Sequence, residues 1–265
     1  MPEGDTVYRA AARLREALAG RVLVRSDFRV PRYATADLRG ELVEQVVSRG
    51  KHLLVRTPSW SVRSHLKMEG EWRVYAPGQP WGKPAHLARL VLANDEAVAV
   101  GFELGEVELL PRDAEDAALA RLGPDLLGED WDPVEATARL VARGEQPIAV
   151  ALLDQRVMAG LGNVYVNELC FLRGIRPERP VAEAGDPARI VELAHRLIQA
   201  NRERTARVTT GVDRRGARLW VYGRAGSPCR RCGTLVERGE LGRGRTDSIT
   251  DPQERVIYLC PHCQR

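Results

Sequence analysis

The period of the hydrophobic residues changes once along this chain of 265 residues, close to Pro111. Before that point the chain is built of short valine-rich stretches, many of them alternating, which are separated by Gly, Pro and Asn-Asp turns. They cover residues 21–30, 42–47, 52–57, 61–75, 87–93, 97–102 and 107–110. A period of two places alternate side chains on one face of a strand. The pattern predicts an all-β body and leaves open whether it is a sandwich or a barrel.

Helical spacing replaces the alternation on both sides of this body. Before it, apolar residues recur at helical intervals from Val7 to Leu18, with Asp5 or Thr6 available as a cap and Gly20 as the end. After Pro111, helices are predicted over residues 114–122, 133–142, 147–158, 164–172 and 187–203. A glycine-rich turn at 159–163 joins the third and fourth of these. Weak strands are predicted at 219–222 and 256–259.

Four of the five cysteines form two C-x-x-C pairs, and this is the most specific chemical signal in the sequence. The pairs are Cys229 with Cys232 and Cys260 with Cys263. Four soft thiolates suit one tetrahedral zinc ion in a closed structural site. A short, arginine-rich segment builds little apolar core, so metal binding would supply its folding energy. Redox pairs or disulfides are the alternative, and a cytoplasmic setting disfavours them.

The charge distribution indicates an anionic partner for the C-terminal part of the chain. From residue 201 onward there are 14 arginines and seven acidic residues, whereas the whole chain carries a net charge of +4. Phosphodiester backbone is the commonest such partner, although a solvated charged face gives the same count. No run of about 18 apolar residues is present, and the acidic start lacks the features of a signal peptide. We therefore expect a cytoplasmic protein without a membrane span.

The first residues offer a nucleophile beside a carboxylate. Removal of Met1 is expected because the small residue Pro2 follows it. The exposed secondary α-amine then has a pKa well below that of a lysine side chain, so an appreciable fraction is unprotonated at neutral pH. Glu3 follows directly and is placed to move protons. Without further context, this pair would be an ordinary N-terminus.

Several segments, in order along the chain, resemble the Fpg/Nei family of formamidopyrimidine-DNA glycosylases and endonucleases VIII. They are Pro-Glu-Gly-Asp-Thr at 2–6, Arg-Gly-Lys-His-Leu-Leu at 49–54, Ser-His-Leu-Lys-Met-Glu-Gly at 64–70, Leu-Gly-Pro-Asp-Leu at 122–126, Ala-Gly-Leu-Gly-Asn-Val-Tyr at 159–165, Val-Tyr-Gly-Arg at 221–224 and the four cysteines. Each is short, but the ordered set runs from residue 2 to residue 263. The resemblance therefore covers essentially the whole chain.

The resemblance implies a fold of three parts. Residues 1–112 would form an N-terminal catalytic β-sandwich domain with a leading α-helix. Residues 113–208 would form a helix–two-turn–helix DNA-binding domain. Residues 209–265 would hold a connecting segment and a C-terminal zinc-finger β-hairpin, with one structural zinc ion on the four cysteines.

The resemblance also implies a bifunctional DNA glycosylase and abasic-site lyase of base excision repair. In that family the N-terminal proline, here Pro2, attacks C1′ of the damaged nucleotide and forms an iminium, and β,δ-elimination then cuts the strand. Glu3 matches the acid/base that protonates the sugar oxygen, and Lys51 matches the catalytic lysine of the β-domain. The partner would be damaged DNA with the lesion flipped out, bound by a monomer in the nucleoid.

Three further residues match DNA contacts of that family. Asn163 matches the asparagine that binds the phosphate beside the lesion. Arg255, five residues before Cys260, matches the zinc-finger arginine that reaches the same phosphate. Met68 matches the apolar wedge that fills the space left by the flipped base, while core packing beside a strand is the alternative reading of this methionine.

Departures from the oxidised-purine branch favour oxidised pyrimidines as substrates. The stretch 101–105 lacks that branch's Arg-Phe pair, Ala149 stands where it has a lysine, and the short segment 211–220 replaces its long base-capping loop. The family's usual glutamate is Thr6 here. Within the family, the actinobacterial endonuclease VIII proteins are the most similar. Three alternatives stay open: an oxidised-purine glycosylase, an inactive zinc-finger DNA-binding homologue, and a zinc-ribbon protein of transcription or translation.

Overall fold

The computed structural model describes residues 2–241 and 256–265. The chain forms two compact units, Met1–Arg121 and Leu122–Arg265. Among the described residues, none of the helices combines the length and the apolarity needed to cross a bilayer.

The first unit is a β-sandwich with a helix before it and a short helix after it. Helix α1 spans Gly4–Leu18 and helix α2 spans Glu115–Leu119. The strands are β1 Arg25–Phe28, β2 Gln45–Arg49, β3 His52–Arg56, β4 Trp60–His65, β5 Glu71–Tyr75, β6 Ala88–Ala93, β7 Val98–Phe102 and β8 Glu106–Pro111. They form two antiparallel sheets in the orders β1-β6-β7-β5 and β2-β3-β4-β8. The sandwich reading of the alternating pattern is therefore confirmed.

The core of this unit combines side chains of both sheets with one face of α1. Leu14 and Leu18 of α1 are buried together with Val55 and Val62 of one sheet and Leu92 of the other. The apolar face predicted from helical spacing is thus the face that packs on the sheets. Complete burial of one such side chain stabilises the fold by about 1.5–3 kcal/mol.

Two details of the predicted strands and caps in this unit were wrong. The stretch 61–75 is two strands, because the chain turns at residues 67–69 between β4 and β5. Helix α1 begins at Gly4, so neither Asp5 nor Thr6 is its cap residue. Glu3 occupies the cap position, and its backbone oxygen accepts the N–H groups of Thr6 at 2.9 Å and Val7 at 3.1 Å.

The second unit is helical and ends in a small hairpin. Its helices are α3 Pro133–Val141, α4 Ile148–Leu153, α5 Asn163–Arg173 and α6 Pro187–Asn201. Strands β9 Glu237–Glu240 and β10 Val256–Leu259 pair antiparallel. Helix α4 is shorter than the predicted 147–158, and residues 219–222 form no strand. The backbone N–H groups of residues 220–222 instead donate to the Glu168 carboxylate of α5.

Helix α5 lies at the centre of this unit. Every residue from Asn163 to Phe171 is buried, so the helix has no solvent face over that length. Gly174 ends it with φ of 70°, a left-handed conformation that glycine adopts without strain. The peripheral helices α3 and α6 are instead capped by Asp132 and Asp186, whose carboxylates accept backbone N–H groups of the first turn.

Candidate active site and metal centre

The start of α1 places a half-buried proline beside two buried carboxylates. Pro2 is half-buried, and Glu3 and Asp5 are completely buried at the N-terminal end of the helix. Both carboxyl groups therefore lie at the positive end of the helix dipole. Asp5 also accepts the Thr6 backbone N–H at 2.7 Å. Met1, whose removal the sequence predicts, lies outside the described residues.

Lys51 lies in the tight turn between β2 and β3. Gly50 precedes it with φ of 57°, and Arg49 and His52 are paired where the two strands end. Lys51 is only 8% exposed, which is unusual for a lysine and excludes a solvated strand end. Helix α1 packs against both β2 and β3. The helix that follows Glu3 is therefore in direct contact with the two strands that flank Lys51.

Met68 lies in the turn between β4 and β5 and is 36% exposed. The exposure excludes the alternative in which Met68 packs in the core. Lys67, just before it, has φ of 53°, which side-chain-bearing residues seldom adopt. No pattern around Lys67 in the sequence predicted this conformation.

A pair of histidines spans the ends of β3 and β4. His52 and His65 are directly opposite each other, with ring centroids 5.1 Å apart and an edge-to-face arrangement. Burial lowers the pKa of His52 to about 4 and that of His65 to about 3. Both rings are therefore neutral at physiological pH, and each can accept a hydrogen bond at one ring nitrogen.

In the second unit, the glycine-rich turn before α5 is held by a side chain that sequence reasoning missed. Gln155 donates to the carbonyl oxygens of Leu153 at 2.8 Å and Leu161 at 2.9 Å. Its own oxygen accepts the Gly160 N–H at 2.9 Å. One amide thus connects the end of α4 to the turn, which fixes where α5 begins.

Asn163 is the first residue of α5 and joins that helix to strand β10. Its side-chain amide donates to the Val256 carbonyl at 2.8 Å, and Asn163 is 1% exposed. Asn167, one turn later, donates to the Asn163 side-chain oxygen at 2.9 Å and accepts the Tyr258 N–H at 2.6 Å. Arg255, which the resemblance pairs with Asn163, lies outside the described residues. It directly precedes Val256 in the chain.

Glu168 is a second polar residue of α5 that the sequence prediction did not single out. It is completely buried and accepts the backbone N–H groups of Trp220 at 2.8 Å and of Val221 and Tyr222 at 2.9 Å. The Thr209 hydroxyl also donates to it. The carboxylate therefore binds both ends of the segment 210–219. Polar residues in a helix that is buried on all sides were the signal that could have identified it.

The four cysteines of the two C-x-x-C pairs converge. Their sulfur atoms all lie within 4.8 Å of one another, with 4.0 Å between Cys229 and Cys263 and 3.4 Å between Cys232 and Cys260. Sulfurs on one tetrahedral zinc lie about 3.8 Å apart, whereas a disulfide needs about 2.05 Å. The predicted set can therefore hold one metal ion, and all five cysteines are free thiols.

The remaining cysteine, Cys170, lies in α5 and takes no part in this cluster. It is 2% exposed, and burial raises the pKa of its thiol to about 12. The prediction that it packs as a small apolar residue is confirmed.

Two family models match the chain, one for each unit. The formamidopyrimidine-DNA glycosylase N-terminal domain matches residues 1–118, and the formamidopyrimidine-DNA glycosylase H2TH domain matches residues 122–209. Together they cover most of the sequence.

Relatives with curated names are similar over their full length. "Endonuclease 8 2" of Mycobacterium bovis is 52% identical over 100% of both chains. "DNA-(apurinic or apyrimidinic site) lyase Nei2" of Mycolicibacterium smegmatis is 53% identical over 100% of this chain and 99% of its own. "Formamidopyrimidine-DNA glycosylase" of Listeria innocua is 30% identical over 100% of both.

The fold is shared with solved structures. The Lactococcus lactis Fpg in complex with DNA containing an abasic site has a TM-score of 0.81 and 23% identity, with 99% of each chain covered. MutM in complex with DNA containing carbocyclic 8-oxo-G has a TM-score of 0.80 and 23% identity, with 100% of each chain covered. At this identity the likeness concerns the fold.

Proposed function

The chain belongs to the Fpg/Nei family of formamidopyrimidine-DNA glycosylases and endonucleases VIII, and from this premise we propose that it excises oxidised pyrimidines through the imino group of Pro2. Two family models and full-length relatives at half identity support the premise. The chain is a bifunctional DNA glycosylase and abasic-site lyase of base excision repair. Which residues perform the chemistry is the proposal.

The observation that carries the proposal is the complete burial of Glu3 next to Pro2 at the start of α1. The unprotonated Pro2 nitrogen attacks C1′ of the damaged nucleotide, and the bond from C1′ to the base breaks. The base leaves with the bonding electron pair and takes up the proton that the Pro2 nitrogen loses. Glu3 gives a proton to the ring oxygen of the sugar, so the ring opens to an iminium. Loss of a C2′ proton then expels the 3′ phosphate, and a second elimination expels the 5′ phosphate. Hydrolysis of the iminium regenerates Pro2.

Lys51 is proposed to hold a phosphate and to raise the electrostatic potential around the amine. Its burial supports this role, because a buried cation interacts more strongly with an anion than a solvated one does. A positive neighbour also favours the unprotonated, nucleophilic form of Pro2. Met68 is proposed to enter the base stack when the lesion flips out, and its exposure on a turn supports this.

Asn163 and Arg255 are proposed to bind the phosphate beside the lesion. The Asn163–Val256 hydrogen bond supports the pairing, since residue 256 follows Arg255 directly and is attached to the start of α5. Backbone N–H groups at that helix end favour an anion. Because a single chain supplies all of these residues, we propose a monomer that acts on DNA in the nucleoid of the cytoplasm.

Oxidised pyrimidines are proposed over oxidised purines for two reasons. The relatives at 52–53% identity carry the names of an endonuclease 8 and an abasic-site lyase, whereas the formamidopyrimidine-DNA glycosylase of Listeria innocua is 30% identical. Ala149, in the place of a lysine, is 1% exposed within α4 and offers no polar group to a base.

The metal of the cysteine cluster is proposed to be zinc, in a structural role. The thiolate set fits zinc, and the apolar cluster around it in the described part of the chain, which includes Val221 and Val236, is small. Metal analysis of the purified protein should return one zinc per chain. Cys232→Ser should lower that content, whereas Cys170→Ser should leave it at one. Full zinc content in Cys232→Ser would contradict the four-thiolate site.

Borohydride trapping tests the nucleophile. With abasic-site DNA and reductant, the mature protein should become covalently attached to the strand, because reduction fixes the iminium. Blocking the Pro2 amine, by acetylation or by an N-terminal extension, should abolish the adduct while DNA binding persists. An unmodified protein that binds this DNA and never cross-links would establish the inactive binding homologue instead.

A lesion panel in the same assay tests the substrate class. Duplexes with dihydrouracil or 5-hydroxyuracil should be cleaved faster than a duplex with 8-oxoguanine at matched concentration. Preference for 8-oxoguanine would replace the pyrimidine assignment while leaving the chemistry of Pro2 intact.

A further inference from the structure

Two turns of the first unit contain every non-glycine residue with positive φ among residues 2–241 and 256–265. Lys67, with φ of 53°, lies in residues 66–70, which we name the wedge turn. Glu103, with φ of 49°, lies in residues 101–105, which we name the companion turn. Such conformations cost of order 1 kcal/mol or more and persist where surrounding contacts enforce them.

The two turns are in direct contact through Gly105. Its N–H donates to the His65 carbonyl at 3.0 Å. A Cβ atom at position 105 would lie 2.1 Å from Lys67 Cγ and 2.7 Å from Lys67 Cβ. The Lys67 side chain thus passes over the glycine, and its Nζ then reaches Glu106 at 2.8 Å. The absence of a side chain at position 105 is what makes room for Lys67.

The His65 ring provides a second restraint on Lys67. Its Nδ1 accepts the Lys67 backbone N–H at 3.0 Å, and the edge-to-face contact with His52 orients the ring. The N–H of Gly70 donates to the Leu66 carbonyl at 2.9 Å and closes the wedge turn. Both bonds are local and bracket Met68.

The larger side chains of the companion turn make their contacts within the protein. Phe102 is completely buried and Leu104 is 3% exposed. The carboxylate of Glu103 binds Lys83 Nζ at 2.6 Å. The contacts of this turn are therefore directed into the protein and toward the wedge turn.

We propose that Gly105 and His65 are positioning residues that hold Lys67 in its left-handed conformation and so present Met68 ready to enter the base stack. The companion turn acts as a seat for the wedge turn. This inference rests on the proposed role of Met68. If the wedge turn is already ordered, less conformational entropy is lost when Met68 enters the base stack, and binding is correspondingly more favourable.

A double-mutant design distinguishes the specific contact between Gly105 and Lys67 from a general loss of stability. In Gly105→Ala, the new methyl group displaces Lys67. In Lys67→Gly, the residue keeps positive φ without strain and loses the atoms that the methyl group would strike. The double variant Lys67→Gly with Gly105→Ala should therefore regain the excision activity that Gly105→Ala loses.

Two assays separate an effect on the wedge from an effect on the chemistry. Excision from a lesion duplex is compared with cleavage of a single-stranded abasic site, where no base is flipped. Fluorescence of 2-aminopurine opposite the lesion reports insertion of the wedge.

Gly105→Ala should lower excision from the duplex about 10- to 100-fold, the range expected when a reacting group is displaced by about 1 Å. Cleavage of the single-stranded abasic site should change less than about twofold, and the 2-aminopurine signal should fall. The double variant should return to within about threefold of Lys67→Gly. His65→Leu should lower duplex excision as Gly105→Ala does. His65→Asn retains a hydrogen-bond acceptor near the position of Nδ1, so its duplex excision should stay close to that of the unmodified protein.

Three outcomes overturn the inference. One is normal duplex excision by Gly105→Ala while Met68→Ala is impaired. This result would support the role of Met68 and contradict the positioning role of Gly105. Another is failure of the double variant to recover. The third is failure of His65→Asn together with His65→Leu, which would mean that His65 acts on DNA directly. Normal excision and normal fluorescence in Met68→Ala would instead contradict the proposed wedge role.

Discussion

Helices α1 and α5 both begin among buried polar side chains, but the two ends carry different charges. At α1 the residues are the acids Glu3 and Asp5, and at α5 they are the amides Asn163 and Asn167. Both ends present the positive pole of a helix dipole. Carboxyl groups lie at that pole in α1, whereas neutral amides lie at it in α5, where a phosphate is proposed to bind. The proposed roles follow this difference: proton transfer at the start of α1 and anion binding at the start of α5.

The N-terminal ends of the peripheral helices α3 and α6 are capped by aspartate side chains and have no proposed functional role. Asp186 Oδ1 accepts the Ala188 N–H at 3.0 Å, and Asp132 Oδ1 accepts the Val134 N–H at 2.8 Å. There the side chain is consumed as a cap. At α1 the carboxyl of the cap residue Glu3 does not cap the helix, and at α5 the cap position is held by Gly162, which has no side chain.

The largest expected effect follows from removing the acid of α1. Glu3→Gln keeps the shape and removes the transferable proton, so single-turnover excision should fall about 1,000-fold, within the range known for general acid–base catalysis. Glu16→Gln, an exposed substitution on the same helix, is the matched control and should retain activity. Equal activity of both variants would contradict the proposal that Glu3 transfers the proton.

An intermediate effect follows from making the end of α5 resemble that of α1. Asn163→Asp places a carboxylate where a phosphate is proposed, so DNA affinity should fall by about 2 kcal/mol, roughly 30-fold in Kd. The dependence of binding on salt should become less steep by about one phosphate contact. Equilibrium binding at several ionic strengths measures both. Unchanged affinity would show that the phosphate lies elsewhere.

The smallest effect is expected at a capped helix. Asp186→Ala removes the cap of α6 and should lower the free energy of unfolding by about 1 kcal/mol, with no change in DNA affinity or excision. Urea denaturation and the binding assay check the two parts. A loss of affinity without a loss of stability would break the distinction between capped and functional helix ends.

The fold was predictable where one period continued over many residues. Alternation identified the strands of the sandwich, and helical spacing identified α1, α3, α5 and α6 within a few residues. The prediction failed at residues 219–222 because the backbone N–H groups of that apolar run are taken by Glu168, about 50 positions earlier, rather than by a neighbouring strand. Local patterns do not encode such a partner.

The candidate site divides in the same way. Pro2 and Glu3 are adjacent in sequence, and the two cysteines within each C-x-x-C pair are three positions apart, so these residues are close in any fold. The bond between Asn163 and Val256 spans 93 positions, and the Lys67 side chain passes over Gly105 of another turn. Neither follows from spacing.

The sequence by itself determined the chemistry, namely a proline amine beside an acid and four thiolates at metal-binding intervals, because these properties belong to residue types and short separations. Only the tertiary structure decided which buried groups meet: Glu168 with residues 220–222, Asn163 with β10, and the wedge turn with its companion. The physical reason is that a buried polar atom must find a partner within about 3 Å, and packing of distant segments decides which atom that is.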